Sequence, residues 1–321
     1  MRIFATAVPT VAAIGLLFGI SGAAAPGAAT PTPVPTLSPD VGSGVLFDDF
    51  DYTGPDDLVF ADHGWSVRTE TGWPGVSGAA WGRENVTFLD DSDTSGNWLM
   101  QMESSTDGTA GGTRQTEINQ QRKFYEGTYA SRVRFTDSPV SGPDGDQIVE
   151  TFFTITPLNY DLDPSYSELD YEYLPNGGWG RRGSTFFMTT WETYRPEPRW
   201  VADNTSSASE HSYEGWHTLV LQVADGTVTY YIDGDPVALH RGKYYPETPM
   251  SINYNLWFVQ DGQVSSHQAR QYIEQIDWLY YVGREVLSPD DVEVRVARYR
   301  SNAVTFEDTI PAWTPPEPKR P

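Results

Sequence analysis

Short apolar or alternating runs, separated by Gly, Pro, Asn and Asp, fill the chain between Val45 and Val282. Few stretches have helical spacing, so the pattern predicts an all-β fold. We expect strands near residues 98–103, 127–135, 148–155, 167–173, 184–190, 216–224, 227–232, 250–258 and 271–282. This many strands should pack as a sandwich of two antiparallel sheets.

One hairpin is marked clearly in this pattern. Apolar residues alternate through 219–223, stop at Asp225-Gly226 and alternate again through 228–232. An Asp-Gly pair between two alternating runs is typical of a two-residue β-hairpin. We therefore predict that these two strands are neighbours in one sheet.

The segment after residue 283 has a different pattern. Ser288-Pro289 is followed by two acids, which is typical of a helix start with a capping serine and a proline in the first turn. Val292, Val296 and Tyr299 would share one face of a short helix ending near residue 300. The alternation of apolar residues through 292–296 leaves a strand as the alternative. Residues 313–321 are rich in Pro and are expected to form a loose tail.

The amino-terminal residues indicate export. Residues 1–25 have a positive start, an apolar run and small residues at the end, which is typical of a secretory signal peptide. Residues 26–44, rich in Pro and Thr, are expected to be a linker, 45–283 the folded domain, and 284–321 the helix and tail. The chain has no cysteine, so no disulfide can stabilise the secreted protein.

Charge and aromatic content narrow the classes of partner. A formal net charge of −23 argues against nucleic acid and anionic membranes, because phosphate contacts need clustered Lys and Arg. No apolar run after the signal peptide is long enough to cross a bilayer. Eleven Trp and 18 Tyr supply rings that can pack against sugars, although many will belong to the core. These features favour a secreted monomer that binds a polysaccharide.

Three acids stand at alternate positions of one predicted strand: Glu168, Asp170 and Glu172. In an extended strand all three point to one face, while the apolar residues between them point to the other. Crowded carboxylates raise the proton affinity of at least one member, which gives the mixture of acid and base that glycosidic bond cleavage needs. With 44 acids in the chain, this spacing should arise by chance roughly once. A charged edge strand is therefore the alternative.

Context favours the catalytic interpretation, because the chain resembles glycoside hydrolase family 16. The β-jelly-roll domains of that family carry a Glu-x-Asp-x-Glu strand across a concave sheet. Besides residues 168–172, the resemblance to the family's lichenases rests on segments in the same order at 125–133, 150–156, 216–218 with 230–234, 249–257, and 276–281. The resemblance covers residues 47–282 and implies a jelly-roll sandwich with a concave substrate cleft, followed by the short helix.

The resemblance also implies roles for the three acids. Glu168 would be the nucleophile, Asp170 the assisting carboxylate, and Glu172 the general acid and base of a retaining mechanism. Four residues of strand span roughly 13 Å, whereas a retaining pair needs carboxyl groups about 5 to 5.5 Å apart. The side chains must therefore converge, which requires a curved sheet.

Other residue roles follow from the same resemblance. Sugar contacts are implied for Glu117, Asn119, Asn255 and Trp257, although the family's lichenases have Arg where Asn119 stands. Phe153, Trp179 and Trp191 are further candidates for lining the cleft, with a place in the core as the alternative for the first and the last. The chemistry requires no cofactor. Asp277 matches a position where relatives bind a structural calcium ion, and a strand-end acid without metal is the alternative.

The implied activity is cleavage within the chains of a β-linked polysaccharide. The spacing of the acids, without an inserted residue, is similar to that of lichenases and favours a β-1,3/1,4-glucan as substrate. Three alternatives stay open: a lectin-like jelly roll without catalysis, a transglycosylase, and a hydrolase of another β-linked polysaccharide such as a galactan.

Overall fold

The computed structural model describes residues 43–94 and 96–314. The predicted signal peptide, nearly all of the predicted linker and residues 315–321 of the predicted tail lie outside the described residues. The strands are β1 Val45–Asp48, β2 Trp65–Val67, β3 Ala80–Trp81, β4 Val86–Asp90, β5 Trp98–Thr106, β6 Arg114–Gln120, β7 Gly127–Phe135, β8 Ile148–Ile155, β9 Glu168–Leu174, β10 Thr185–Arg195, β11 Val201–Ser209, β12 Gly215–Ala224, β13 Thr227–Ile232, β14 Asp235–Arg241, β15 Ser251–Phe258, β16 Arg270–Gly283 and β17 Phe306–Asp308. Within the described ranges, two helices, α1 Leu58–Asp62 and α2 Pro289–Ser301, complete the regular structure apart from two short 3₁₀ turns.

These strands form two packed sheets. The first, called the cleft sheet below, has the order β2-β6-β15-β8-β9-β10-β11 with every pair antiparallel. The second, called the outer sheet, has the order β14-β13-β12-β7-β16, and the long strand β16 then pairs with both β5 and β1. The predicted all-β sandwich of antiparallel sheets is confirmed.

The alternating pattern places one face of each sheet in the core. Leu169, Tyr171 and Tyr173 of β9 are buried together with Leu219 and Leu221 of β12 in one cluster between the sheets. Removing this apolar surface from water is the main force that holds the sandwich together. The opposite face of β9 is thereby left for the three acids.

The predicted hairpin is also confirmed. Strands β12 and β13 pair from Leu219 opposite Ile232 to Ala224 opposite Thr227. The two loop residues, Asp225 and Gly226, have φ values of +51° and +71°. Positive φ at both positions is the geometry of a tight turn that matches the twist of the strands, and Asp and Gly tolerate it better than most residues.

The segment after residue 288 is a helix and not the alternative strand. The Ser288 hydroxyl accepts a hydrogen bond from the Asp291 backbone N–H, with Pro289 in the first turn of α2. Val292 and Val296 are buried against Trp278 on the outer face of the outer sheet. The helix therefore covers an apolar surface of β16 that would otherwise face water.

Eight strands were not predicted: β1, β2, β3, β4, β6, β11, β14 and β17. Most are short, at an edge, or polar. For example, β11 has the sequence Val-Ala-Asp-Asn-Thr-Ser-Ser-Ala-Ser and forms the edge of the cleft sheet beside β10. A strand that buries little of either face shows no alternation of apolar residues in its sequence. Strand β11 therefore depends on its pairing with β10.

Candidate active site

Strand β9 carries the three acids on the face of the cleft sheet that points away from the core. Asp170 is buried, while Glu168 and Glu172 are half-buried. The strand lies between β8 and β10, in the interior of the sheet. The alternative of a charged edge strand is therefore wrong, because both edges of β9 are hydrogen-bonded to neighbours.

The register fixes which side chains surround each acid. Glu168 lies opposite Ile155 on β8 and Trp191 on β10. Two residues further on, Asp170 lies opposite Phe153 and Thr189. Glu172 then lies opposite Thr151 and Phe187, and Thr151 is in turn opposite Asn255 of β15. Residues directly opposite each other in a sheet share a face, so the acids stand in a row lined by aromatic and small polar groups.

Two of the three acids accept a hydrogen bond from an aromatic side chain. The Tyr166 hydroxyl donates to Oε2 of Glu168, and the Trp191 indole Nε1 donates to Oδ2 of Asp170 at 2.9 Å. Trp179 lies beside Glu172 and lowers its pKa. Two different donors therefore orient the carboxyl groups of Glu168 and Asp170.

The environment raises the pKa of all three acids. Burial in the cleft is the largest cause for each, and the negative charges of the neighbouring acids add to it. The pKa of Glu168 is raised to about 7, partly offset by the Tyr166 hydrogen bond. The pKa of Glu172 is raised to about 8, with the charge of Glu168 as the second cause. Both glutamates are therefore shifted toward neutral pH, where one of them can be ionised while the other keeps its proton.

A cavity of about 640 Å³ lies over the acids. It is large enough for a small ligand or a segment of a polymer. Its lining includes all three acids and six of the other predicted residues, which are Glu117, Phe153, Trp179, Trp191, Asn255 and Trp257. Phe153 and Trp257 are nearly buried and form part of the floor, whereas Trp179 is well exposed.

Asn119 is the predicted sugar contact that the structure does not place in the cavity. Its side-chain oxygen accepts a hydrogen bond of 2.5 Å from Ser66 on the neighbouring strand β2, and it is not among the residues that line the cavity. A guanidinium group is present in the cavity lining all the same, because Arg68 lies there. Its Nη1 is 2.8 Å from Oε2 of Glu117. Its side chain also packs 4.0 Å above the Trp81 ring.

Several lining residues were missed in the sequence. Tyr166 lies two positions before Glu168, so the strand spacing could have indicated it. Arg68, Trp73, Tyr194 and Trp200 also line the cavity, and all four lie outside the predicted strands. No local pattern marks them: Arg68 and Trp73 come from a segment far from β9 in sequence, and Tyr194 and Trp200 lie at the end of β10 and in the loop that follows it.

The environment of Asp277 does not fit a calcium ligand. Asp277 is fully buried, and its two oxygens accept from Arg300 at 2.6 Å, Arg132 at 2.6 Å and Asn97 at 2.7 Å. Two guanidinium groups already balance the carboxylate, and a bound cation would be repelled by them. Across the described ranges, no group of three or more His, Asp or Glu could hold a metal ion. Asp277 is therefore part of a structural ion pair, and calcium binding by the chain stays a prediction.

The described helices are also too short or too polar to cross a membrane. Helix α1 has only five residues. Helix α2 packs on the outer sheet through Val292 and Val296.

Comparison with known proteins shows the fold. No family model and no curated protein matches the chain. A Bacillus licheniformis beta-glucanase has a TM-score of 0.54 at 17% identity, with 75% of this chain and 99% of that chain covered. A glycoside hydrolase family 16 endo-glucanase from Bacteroides ovatus has a TM-score of 0.55 at 16% identity, with 73% of this chain and 98% of that chain covered. The kappa-carrageenase from Pseudoalteromonas carrageenovora has a TM-score of 0.52 at 15% identity, with 79% of this chain and 99% of that chain covered. The chain is similar to these enzymes in fold, and the predicted jelly roll is confirmed.

Taken together, the site combines an ionisable pair on one strand with an aromatic cavity. Glu168 can act as a base or nucleophile, and Glu172, whose pKa is higher, can act as an acid. Asp170 stands between them and can donate or accept a hydrogen bond with either. Such a site is suited to reactions that need one carboxylate and one carboxylic acid about a single centre.

Proposed function

We propose that the protein is an endo-acting, retaining glycoside hydrolase of β-linked polysaccharides. The observation that carries this proposal is the row formed by Glu168, Asp170 and Glu172, which lines an aromatic cavity and in which burial raises the pKa of every member. A neutral sugar polymer is also compatible with the strongly acidic chain, since it is not repelled.

The proposed reaction has two steps. The Glu168 carboxylate attacks the anomeric carbon while Glu172 gives its proton to the leaving glycosidic oxygen, which breaks the sugar–sugar bond and leaves a glycosyl ester on Glu168. Glu172, now ionised, takes a proton from water. The resulting hydroxide equivalent attacks the anomeric carbon and displaces the Glu168 carboxylate. The anomeric carbon of the released sugar then has its original configuration.

A β-1,3/1,4-glucan is the substrate we propose. The Bacillus licheniformis structure is a beta-glucanase, and the Bacteroides ovatus endo-glucanase is described in complex with G4G3G-2F-DNP. Trp257 and Asn255, near Glu172 on the cleft face, offer a stacking ring and an amide for sugar hydroxyls. Because a kappa-carrageenase shares the fold, galactans are the second substrate class to assay.

The test is a comparison of polysaccharides with matched variants. Wild-type protein should release reducing ends from mixed-linkage β-glucan faster than from laminarin, xyloglucan, agarose or carrageenan, and NMR of the first product should show a β anomer. Glu168→Gln should remove activity while glucan binding persists. Glu214→Gln, an exposed glutamate outside the cavity, is the control. Turnover of agarose or carrageenan alone would overturn the glucan assignment.

The same experiment separates the other candidate functions. A wild-type protein that binds glucan and releases nothing would be lectin-like. Products longer than the starting oligosaccharide would indicate transfer to a sugar in place of water. We also propose that the chain is exported and that its domain begins near residue 45, which amino-terminal sequencing of secreted protein and limited proteolysis would test.

A further inference from the structure

Two exposed tryptophans touch each other above the cavity. Trp73 is 63% exposed and Trp200 is 52% exposed, yet their ring centroids are 6.2 Å apart. Both rings line the cavity that contains the acids. Large apolar side chains on a surface loop that serve no core are frequently placed there for binding.

The origin of the two rings makes this contact informative. Trp73 follows β2, which is one edge of the cleft sheet, and Trp200 immediately precedes β11, which is the other edge. In a flat seven-stranded sheet those edges would be roughly 29 Å apart. The rings meet because the sheet is hollow and because both loops reach inward over it. The contact of Trp73 with Trp200, called the tryptophan bridge below, therefore spans the acidic strand.

Each half of the bridge contacts a second tryptophan of the cavity lining. Trp73 lies 6.1 Å from Trp257, and Trp200 lies 6.2 Å from Trp191, between ring centroids. Trp191 in turn donates to Asp170. The bridge is thus anchored beside the acids on both sides, while its central contact joins only two residues that lie outside the strands.

The central contact is weak enough to open. An aromatic pair contributes about 0.5–1.5 kcal/mol beyond its buried area, and this pair is more than half exposed. Loops with few buried contacts open at low cost compared with the strands beneath them. A sugar ring offers the indoles a comparable apolar face, so a bound glycan can replace the contact that the two rings make with each other.

We propose that the tryptophan bridge closes over a bound glycan chain, so that an internal segment enters when the rings part and is then enclosed above Glu168 and Glu172. This inference rests on the proposed function and extends it. A chain held from above as well as below leaves only by sliding lengthwise or by reopening of the bridge, which slows its dissociation. The enzyme would therefore cut one chain several times before releasing it.

The first experiment measures dissociation without catalysis. In a Glu168→Gln background, release of mixed-linkage β-glucan from immobilised protein is followed with and without Trp73→Ala or Trp200→Ala. Loss of one stacked ring should speed release of the polymer roughly tenfold. Tyr160→Ala, which removes a 60% exposed ring outside the cavity, should leave the release rate unchanged.

The second experiment uses the active protein. Polymer length and reducing ends are measured together: wild-type should leave long chains beside short products, and each Trp→Ala variant should lower the mean length faster per bond cut. Equal release rates and equal length profiles in wild-type and variants would overturn the bridge. A wild-type protein that binds glucan but never cuts it would instead overturn the proposed function, and the release rates would still decide the bridge. Absence of any glucan binding would overturn both.

Discussion

The indole Nε1 of Trp191 donates a 2.9 Å hydrogen bond to Oδ2 of Asp170, although Trp191 lies opposite Glu168 in the pairing of β9 with β10. The bond therefore runs diagonally between the two strands, from Trp191 to the acid two residues further along β9 on the same face. It lowers the pKa of Asp170, against the larger effect of burial and the charges of both glutamates, which raise it. The central carboxyl group is thus oriented by a residue on the neighbouring strand.

Trp191→Phe tests that orientation. Phenylalanine keeps a flat ring in the cavity but has no N–H, so Asp170 should turn and its pKa should rise further. We expect kcat on β-glucan to fall about tenfold, equivalent to about 1.4 kcal/mol, with a smaller change in KM and an altered pH profile. Trp216→Phe, a ring on strand β12 of the outer sheet, is the matched control. An unchanged pH profile would show that the bond does not matter to the acids.

Tyr166→Phe should shift the acid side of the pH profile. The Tyr166 hydroxyl donates to Glu168 and thereby favours the ionised carboxylate, so it offsets part of the effect of burial and the net pKa of Glu168 is about 7. Without that donor the pKa of Glu168 rises. Because the nucleophile must be ionised, activity should then be lost at a higher pH as the solution is acidified.

The measurement for Tyr166→Phe is kcat/KM across a pH series. In the wild type, activity should fall below about 7, where Glu168 is protonated, and above about 8, where Glu172 is ionised. The variant should move the lower limit upward and leave the upper one nearly in place. Tyr160→Phe, which changes an exposed tyrosine outside the cavity, should move neither.

The parts of this protein that the sequence predicted are those with a local cause. The alternation of acids with Leu169 and Tyr171 marks β9 and its two faces, Asp225-Gly226 marks a turn that needs positive φ, and Ser288 marks a helix start. In each case the residues that determine the structure are neighbours in the chain, so a short window contains the physical reason.

The parts that were missed depend on residues far apart in sequence. Arg68 pairs with Glu117, and Trp73 meets Trp200, because the sheet brings distant loops together. Asp277 shows the same limit. Its acidity suggested a metal ligand, but the cations that bind it come from β7 and α2, and no short window around Asp277 contains them.

Arg300→Met tests whether the ion pair of Arg300 with Asp277 stabilises the fold. Arg300 on α2 binds both Asp277 and Asp49, so its loss leaves a buried carboxylate with fewer donors. We expect the free energy of unfolding to drop by about 1.5–3 kcal/mol, the range for hydrogen bonds to charged groups. Arg298→Met, an exposed arginine on the same helix, is the control.

Chelation completes the test of the ion pair. Treatment of wild-type protein with EDTA should leave the Tm unchanged, because Arg132 and Arg300 already satisfy Asp277. A Tm that falls with EDTA and recovers specifically with calcium would contradict this assignment and restore the metal prediction.

Glu274→Gln should stabilise the protein, and more so at neutral pH than in acid. Glu274 on β16 is fully buried, and burial together with the charge of Glu150 raises its pKa well above 4.5. A folded-state pKa above the unfolded value means that the favourable contribution of Glu274 is complete below pH 4.5 and is lost as the pH rises, because the unfolded chain ionises more easily.

The neutral amide of Gln has a similar shape and removes that loss. Thermal unfolding should therefore show a higher Tm for Glu274→Gln at neutral pH and a much smaller difference below pH 4.5. Glu214→Gln, at an exposed position, should change stability by less than about 0.5 kcal/mol at either pH. If Glu274→Gln were equally or less stable than the wild type at neutral pH, the buried carboxyl group would have to be stabilised in its ionised form, and the assigned direction of its pKa shift would be wrong.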